Sequence, residues 1–112
     1  MSRHNISMNT LNSVGSQIRK LREDAQMPLR KLASLLDIDQ STLSKIERDE
    51  RKANIQLLEE VAKIFSVHKK SLLVNFYSDL ISYEIEDEKE YSEILKVAEA
   101  KIEYKRTIKS KS

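Results

Sequence analysis

The stretch Pro28–Arg48, PLRKLASLLDIDQSTLSKIER, constrains the fold more than any other part of the chain. Its apolar residues recur at spacings of three and four, which is the pattern of a buried helix face. They are Leu29, Leu32, Ala33, Leu36, Leu43 and Ile46. The residues at 37–39, Asp-Ile-Asp, interrupt this period with a residue type that favours turns. The stretch therefore predicts two short helices, roughly 29–36 and 40–48, joined by a tight turn, with Asp39 as the N-cap of the second helix.

The second of these helices has an unusually polar outer face. Hydrogen-bonding side chains stand where a buried helix would have Leu or Val. They are Gln40, Ser41, Thr42, Ser44 and Lys45. Any one of them alone could be a solvated surface residue. Together they are typical of a helix whose outer face is read by a binding partner.

A longer segment, Val14–Leu73, resembles the Cro/C1-type helix-turn-helix domain (XRE family) of bacterial and phage transcriptional regulators. The matching motifs are IRKLRED at 18–24, KLASLLDIDQSTLSKIER at 31–48 and LLEEVAKIFSV at 57–67. The resemblance implies an all-α fold, a five-helix lambda-repressor-like domain with a C-terminal helical extension. It also shows departures, at Pro28, at Ala53 and at two positions that bear on the turn and on DNA contact. Leu29 stands where the family usually has a Gln or Thr that touches a phosphate, and Asp37 stands where it usually has a Gly in the turn.

The composition agrees with a helical chain and argues against several other classes of protein. One Gly and one Pro in 112 residues favour helices joined by short turns, and the lack of Cys excludes disulfides and thiolate metal sites. No apolar run approaches the roughly 20 residues of a membrane span. We therefore expect no enzyme activity, no cofactor, no small-molecule substrate and a cytoplasmic location. The acidic run at 84–90 lacks the spacing of a calcium loop, so no metal site is predicted.

The chain is predicted to have four segments. Helix signals begin near Asn12 or Ser13, either of which could cap the first helix, and Asn54 is expected to cap the fourth. The segments are a flexible N-terminal tail at 1–12, the helix-turn-helix DNA-binding domain at 13–82, a C-terminal helical dimerisation extension at 83–106 and a frayed tail at 107–112.

The resemblance and the side-chain chemistry together predict how such a domain would contact DNA. Gln can bond adenine, Lys can bond guanine, and Ser serves as donor or acceptor. The predicted base contacts are Gln40, Ser41, Ser44 and Lys45, and the predicted phosphate contacts are Thr42, Arg51 and Lys52. The family also pairs Arg22 with Glu47, which suggests a partly buried ion pair. The alternative for that pair is two unconnected surface charges.

The charge distribution is compatible with this interpretation. Residues 14–70 hold 12 Lys and Arg against 9 Asp and Glu, and residues 71–112 hold 7 against 9. A positive excess in the predicted reading domain fits phosphate binding, although an imbalance of this size also arises by chance.

A further helix is predicted beyond the point at which the domain closes its core. Asp87 and Glu90 have the spacing of a capping box, and an apolar stripe follows along a helix at roughly 88–105. The predicted dimer interface is Phe76, Tyr77, Leu80, Tyr91, Ile94, Leu95, Ala98 and Ile102. The alternative is that the last helix folds back on its own chain.

These features predict a regulator that binds a pseudo-palindromic operator in double-stranded DNA as a homodimer. By resemblance, small regulators of this kind are found beside restriction–modification genes. A second hypothesis is an antitoxin-like interaction protein whose C-terminal helix binds a partner protein.

Overall fold

The computed structural model describes residues 12–111, and every regular element in that range is a helix. The helices are α1 (Val14–Asp24), α2 (Leu29–Leu35), α3 (Gln40–Glu47), α4 (Ile55–Phe65), α5 (Lys69–Ile85) and α6 (Tyr91–Ser110). The predicted all-α fold class is therefore confirmed. The predicted flexible tail at 1–12 lies, apart from Asn12, outside the described residues. None of the described helices is long and apolar enough to cross a membrane.

The chain divides after Leu80 into two compact units, and α5 runs through the division. The first unit has an apolar core to which each of α1 to α5 contributes at least one side chain with almost no exposed area. These are Ile18, Leu32, Leu43, Leu58, Val61 and Leu72. Burying one such side chain contributes about 1.5–3 kcal/mol relative to leaving it exposed. Burial of one face of each helix therefore stabilises the first unit.

Three of the helices in this unit begin at a side chain that accepts a bond from the first turn. Ser13 Oγ accepts from the backbone N–H of Ser16 at 3.1 Å, and Asn54 Oδ1 accepts from Leu57 at 2.8 Å. Asp39 caps α3 in the same way. The N-caps predicted for these helices are confirmed, with Ser13 as the cap of α1.

The first four helices end in the same type of turn, although none of them has a glycine there. A residue one or two positions past the end of each helix has a left-handed backbone conformation, with φ between 53° and 63°; these residues are Gln26, Asp37, Asp49 and Ser66. At the end of α2, the N–H of Asp37 donates to the carbonyl of Ser34 at 3.1 Å, and the N–H of Ile38 donates to Ala33 at 3.0 Å. This is the Schellman pattern, which satisfies the last carbonyls of a helix.

Replacing Asp37 by glycine is expected to stabilise the protein. Asp37 is exposed, and a Cβ in the left-handed region is unfavourable, so Asp37→Gly should raise the free energy of unfolding by up to about 1 kcal/mol. Urea unfolding would measure the change. Lys31→Gly, within α2, is the matched control and should cost about 1 kcal/mol. If Asp37→Gly is as destabilising as Lys31→Gly, Asp37 does not have the left-handed backbone conformation described here.

The second unit consists of residues 81–112, described to residue 111, and contains α6. The predicted capping box is wrong, because α6 begins at Tyr91 and Glu90 occupies the N-cap position without a side-chain bond. The backbone N–H groups of Glu88 and Tyr91 instead close turns onto Ile85 and Glu88. The helix continues to Ser110, past its predicted end near residue 105, because neither Gly nor Pro occurs there to stop it. No residue of α6 is buried.

Candidate nucleic-acid interface

The helix α3 is held in the first unit by its inner face. Leu43 and Ile46 are 0% and 4% exposed and belong to the apolar core. α3 packs against both α1 and α2, and Asp37 and Ile38 form the turn between α2 and α3. Ile38 packs against the core from within that turn. The position of the outer face of α3 is therefore fixed by two neighbouring helices.

A partly buried ion pair joins the C-terminal end of α3 to α1. Arg22 donates from Nε to Glu47 Oε2 at 2.8 Å and from Nη2 to Oε1 at 2.9 Å. Its Nη1 donates to the carbonyl oxygen of Met27 at 3.0 Å. The bond to Glu47 raises the pKa of Arg22 above its ordinary value, against the lowering effect of burial. Both charges are thus satisfied by a bidentate contact, which joins the two residues that the family resemblance suggested as partners.

A second connection between α1 and α3 was not predicted from the sequence. Ser13 Oγ donates to Asp49 Oδ2 at 2.6 Å, and Gly15 lies against the end of α3. A Cβ on Gly15 would lie 2.6 Å from Asp49 Oδ1, 3.2 Å from the carbonyl oxygen of Glu47 and closer still to that of Ile46. The single glycine of the chain therefore permits α1 to approach α3 closely. Its position two residues after the helix cap Ser13 was the available signal.

Polar contacts also join α1 to α5. Gln17 Nε2 donates to Ser71 Oγ at 2.8 Å, and Asn75 Nδ2 donates to Gln17 Oε1 at 2.9 Å. The backbone N–H of Val14 donates to Asp79 Oδ2 at 2.8 Å. The three α5 residues in these bonds, Ser71, Asn75 and Asp79, are spaced by four residues, so they form one polar seam along the helix. This seam fixes α1, against which α3 packs.

The outer face of α3 is accessible. Gln40, Ser41 and Lys45 are exposed, whereas Ser44 is half-buried. Arg51 and Lys52 are exposed in the loop that follows α3. Among the described residues, Lys45, Arg51 and Lys52 form no ion pair with a carboxylate, unlike Arg48, which pairs with Glu50 at 3.3 Å. Their positive charges are therefore available to an external anion.

Asp39 connects the start of α3 to this positive region. Its Oδ1 accepts from the backbone N–H of Thr42 at 2.7 Å. That bond, a second one from the Thr42 side chain and the charges of Arg51 and Lys45 all lower the pKa of Asp39. Arg51 and Lys45 therefore lie on the same side of the domain as the N-terminus of α3. The predicted phosphate contact of Thr42 stays a prediction.

The N-terminus of α2 differs from the usual family pattern. Leu29 packs against the apolar core, as its side chain requires. It offers no hydrogen bond to a phosphate. The polar contacts available to a nucleic acid are therefore concentrated on α3 and on the loop after it.

These elements form a helix-turn-helix, in which the second helix presents amide, hydroxyl and ammonium groups beside unpaired positive charges. Such groups match base edges in the major groove, and the charges match phosphates. Residues 18–71 match the helix-turn-helix family HTH_3. This segment, just under half of the chain, is therefore similar to the helix-turn-helix domain of an XRE-type family whose members are DNA-binding transcription regulators and not enzymes. No curated protein matches the chain significantly.

Solved structures with a similar fold include several regulators. The regulator ClgR from Corynebacterium glutamicum is 18% identical, with a TM-score of 0.53 over 82% of this chain and 95% of that one. An HTH_3 family transcriptional regulator from Vibrio cholerae is 23% identical, with a TM-score of 0.50 over 69% of this chain and 44% of that one. SinR, a master regulator for biofilm formation solved in complex with DNA, is 33% identical over 54% of this chain and 97% of that one, with a TM-score of 0.49.

Proposed function

We propose that the protein is a sequence-specific transcriptional regulator that binds a pseudo-palindromic DNA operator as a homodimer. In each copy, α3 enters the major groove and its exposed side chains contact the base edges. The observation that carries the proposal is the accessible polar face of α3, which is fixed from behind by the core and by the Arg22–Glu47 pair.

Two groups of residues have different roles in this proposal. Gln40, Ser41, Ser44 and Lys45 contact bases and determine sequence preference. Thr42, Arg51 and Lys52 contact phosphates and fix the register of the domain on DNA. Phosphate contacts release counterions, so affinity falls steeply as salt rises.

Variants of the two groups should have different effects on binding. Gln40→Ala or Lys45→Ala should cost about 1–3 kcal/mol of binding free energy on the preferred site and relax preference at one or two base pairs. Arg51→Ala should weaken binding to all sequences about equally and reduce the salt dependence. Gel-shift titrations at several salt concentrations measure both effects. If Gln40→Ala and Lys45→Ala both keep full affinity and unchanged preference, α3 is not the reading helix.

Homodimerisation is proposed from exposed apolar residues in α5 and α6. On α6, Tyr91, Ile94, Leu95 and Ile102 are 37–55% exposed, and Ala98 lies on the same face. On α5, Tyr77 is exposed, together with its neighbours Val74 and Ile81 at spacings of three and four. Phe76 and Leu80, also predicted for the interface, are half-buried, and Phe76 packs against the core of the first unit. Exposed apolar patches of this kind mark association surfaces.

The interface can be tested without disturbing the core. Leu95→Glu combined with Ile102→Glu, or truncation after Ser82, should weaken the dimer and with it operator affinity. The core residues of the first unit all lie before residue 73, so each copy should stay folded. Sedimentation measures the mass and circular dichroism checks the fold. A truncated protein that dimerises as tightly as the full chain would rule out α6 as the interface.

Two biological roles are considered for this regulator: control of restriction–modification genes, and an antitoxin-like role in which it binds another protein. A helix-turn-helix domain followed by one helical extension is the arrangement of small regulators beside restriction–modification genes, and control of such genes is the proposed role. The alternative, in which α6 binds a different protein, draws on the same exposed apolar residues. A tight homodimer of the purified protein favours the first role, and an unstable monomer favours the second.

A further inference from the structure

The last part of the chain is strongly divided in charge. Residues 84–95 contain six Asp and Glu against one Lys, whereas residues 96–111 contain six Lys and Arg against two Glu. The net charges of the two halves are therefore −5 and +4. All of these charged side chains lie at exposed positions, and α6 itself has no buried residue.

The apolar face of α6 leads directly into its positive end. Tyr91, Ile94, Leu95, Ala98 and Ile102 are spaced by three and four residues and share one side of the helix. Continuing the same spacing past Ile102 gives Lys105 and Lys109, so this side becomes basic over its last two turns. The acidic residues at 84–90 lie immediately before the other end of the apolar face.

The helix dipole accounts for only part of this pattern. An acidic first turn and a basic last turn stabilise a single helix, and Glu93 and Lys109 occupy those turns. The effect falls off within one turn, whereas the acidic residues extend back to Glu84, well before the helix begins. The charges that the dipole does not explain would be compensated by a partner helix whose acidic and basic ends run in the opposite direction.

We infer that the α6 helices of two copies pair antiparallel, across the face that runs from Tyr91 to Ile102. This inference rests on the proposed homodimer and specifies its geometry. A parallel pair would place −5 against −5 at one end and +4 against +4 at the other. An antiparallel pair places each acidic segment beside the basic end of its partner, and the two helix dipoles also oppose each other. Like charges across an interface are unfavourable, so orientation follows from charge.

The position of the centre of the apolar face determines which residues of the two α6 helices lie opposite each other. An antiparallel pair centred between Lys96 and Val97 places Tyr91 beside Ile102 of the other copy, and Leu95 beside Ala98. At a rise of about 1.5 Å per residue, Lys105 lies about 13 Å along the axis from this centre. Among the acidic residues at 84–90 of the other copy, Glu90 is the nearest to this centre, at about 10 Å along the axis. The basic end of one α6 therefore lies at a similar distance from the centre as the nearest of these acidic residues in the other copy.

The chain contains no cysteine, so single cysteines can report the orientation in the full-length protein. In an antiparallel pair, two copies of Ala98→Cys lie about 4.5 Å apart along the axis, within reach of a disulfide. Two copies of Tyr91→Cys, or of Ile102→Cys, lie about 16 Å apart and cannot be bridged. Ala100→Cys, on the opposite side of α6, is the matched control and should not cross-link.

The expected result under mild oxidation is a cross-linked dimer for Ala98→Cys alone among the single variants. Mixing Tyr91→Cys with Ile102→Cys should then produce a cross-linked heterodimer. Cross-linking of Tyr91→Cys to itself would overturn the antiparallel pairing and leave the proposed dimer in place. A monomeric sedimentation profile without cross-links would overturn the pairing and the dimer together. Gel shifts on the same reduced variants report DNA binding separately, so a failure of the proposed DNA interface is recognised independently of the orientation.

Discussion

Glu47→Ala is expected to lower the free energy of unfolding by about 3–5 kcal/mol, the usual cost of breaking a buried ion pair by removing one partner. The Glu47 side chain is 4% exposed and that of Arg22 is 14% exposed, so the substitution leaves a guanidinium without its carboxylate in a largely dry site. Only the bond from Arg22 to the carbonyl of Met27 remains. Urea unfolding followed by circular dichroism measures the change.

A surface pair on α1 provides the matched control. Arg19 and Glu23 are 3.0 Å apart, but both side chains are more than half exposed. Arg19→Ala should therefore cost no more than about 0.5 kcal/mol. The double variant Arg22→Met with Glu47→Leu should recover much of the stability lost in Glu47→Ala, because it removes both charges. If Glu47→Ala costs no more than Arg19→Ala, the pair is not buried as described.

Gly15→Ala is the second substitution with a large expected effect. The added Cβ would overlap the carbonyl oxygen of Ile46 and approach Asp49 Oδ1 to 2.6 Å. A backbone carbonyl cannot rotate away as a side chain can, so α1 and α3 must separate. Overpacking of this kind costs about 1–3 kcal/mol and occasionally more. Thermal unfolding should show a clearly lower midpoint.

The same substitution should also affect the proposed DNA interface. Because the overlap lies at the C-terminal end of α3, Gly15→Ala should also weaken DNA binding at temperatures where the protein is still folded. Ser16→Ala, at the exposed neighbouring position, is the control and should leave both properties nearly unchanged. A Gly15→Ala protein with the stability and affinity of the Ser16→Ala protein would contradict the close approach of α1 to α3.

The features that the sequence predicted correctly depend on residues near one another in the chain. Asp39 and Asn54 cap the helices that follow them, and each bond spans three residues. The turn at 37–39 was predicted because Asp37 and Asp39 interrupt the apolar helical stripe. Ile18 and Leu58 are buried because helical spacing aligns them with other apolar residues.

The features that escaped prediction depend on residues far apart in the chain. The bond from Ser13 to Asp49 spans 36 residues, and that from Val14 to Asp79 spans 65. Neither has a periodic signal, because a single polar contact between two helices leaves no repeat in the sequence. The start of α6 was misplaced for a related reason. The acidic residues before Tyr91 offered several possible caps, and the turn bonds at Glu88 decided between them.

The central claim is that the exposed face of α3 reads DNA sequence, and selection of bound sequences from a random double-stranded DNA pool tests it most directly. The full chain and the Lys45→Ala variant would be taken through parallel selections. The proposal predicts a pseudo-palindromic consensus for the full chain, with half-sites centred about 10 base pairs apart, and a consensus for Lys45→Ala that has lost its preference at one or two symmetric positions. No enriched sequence for the full chain, or an identical consensus for both proteins, would contradict the claim.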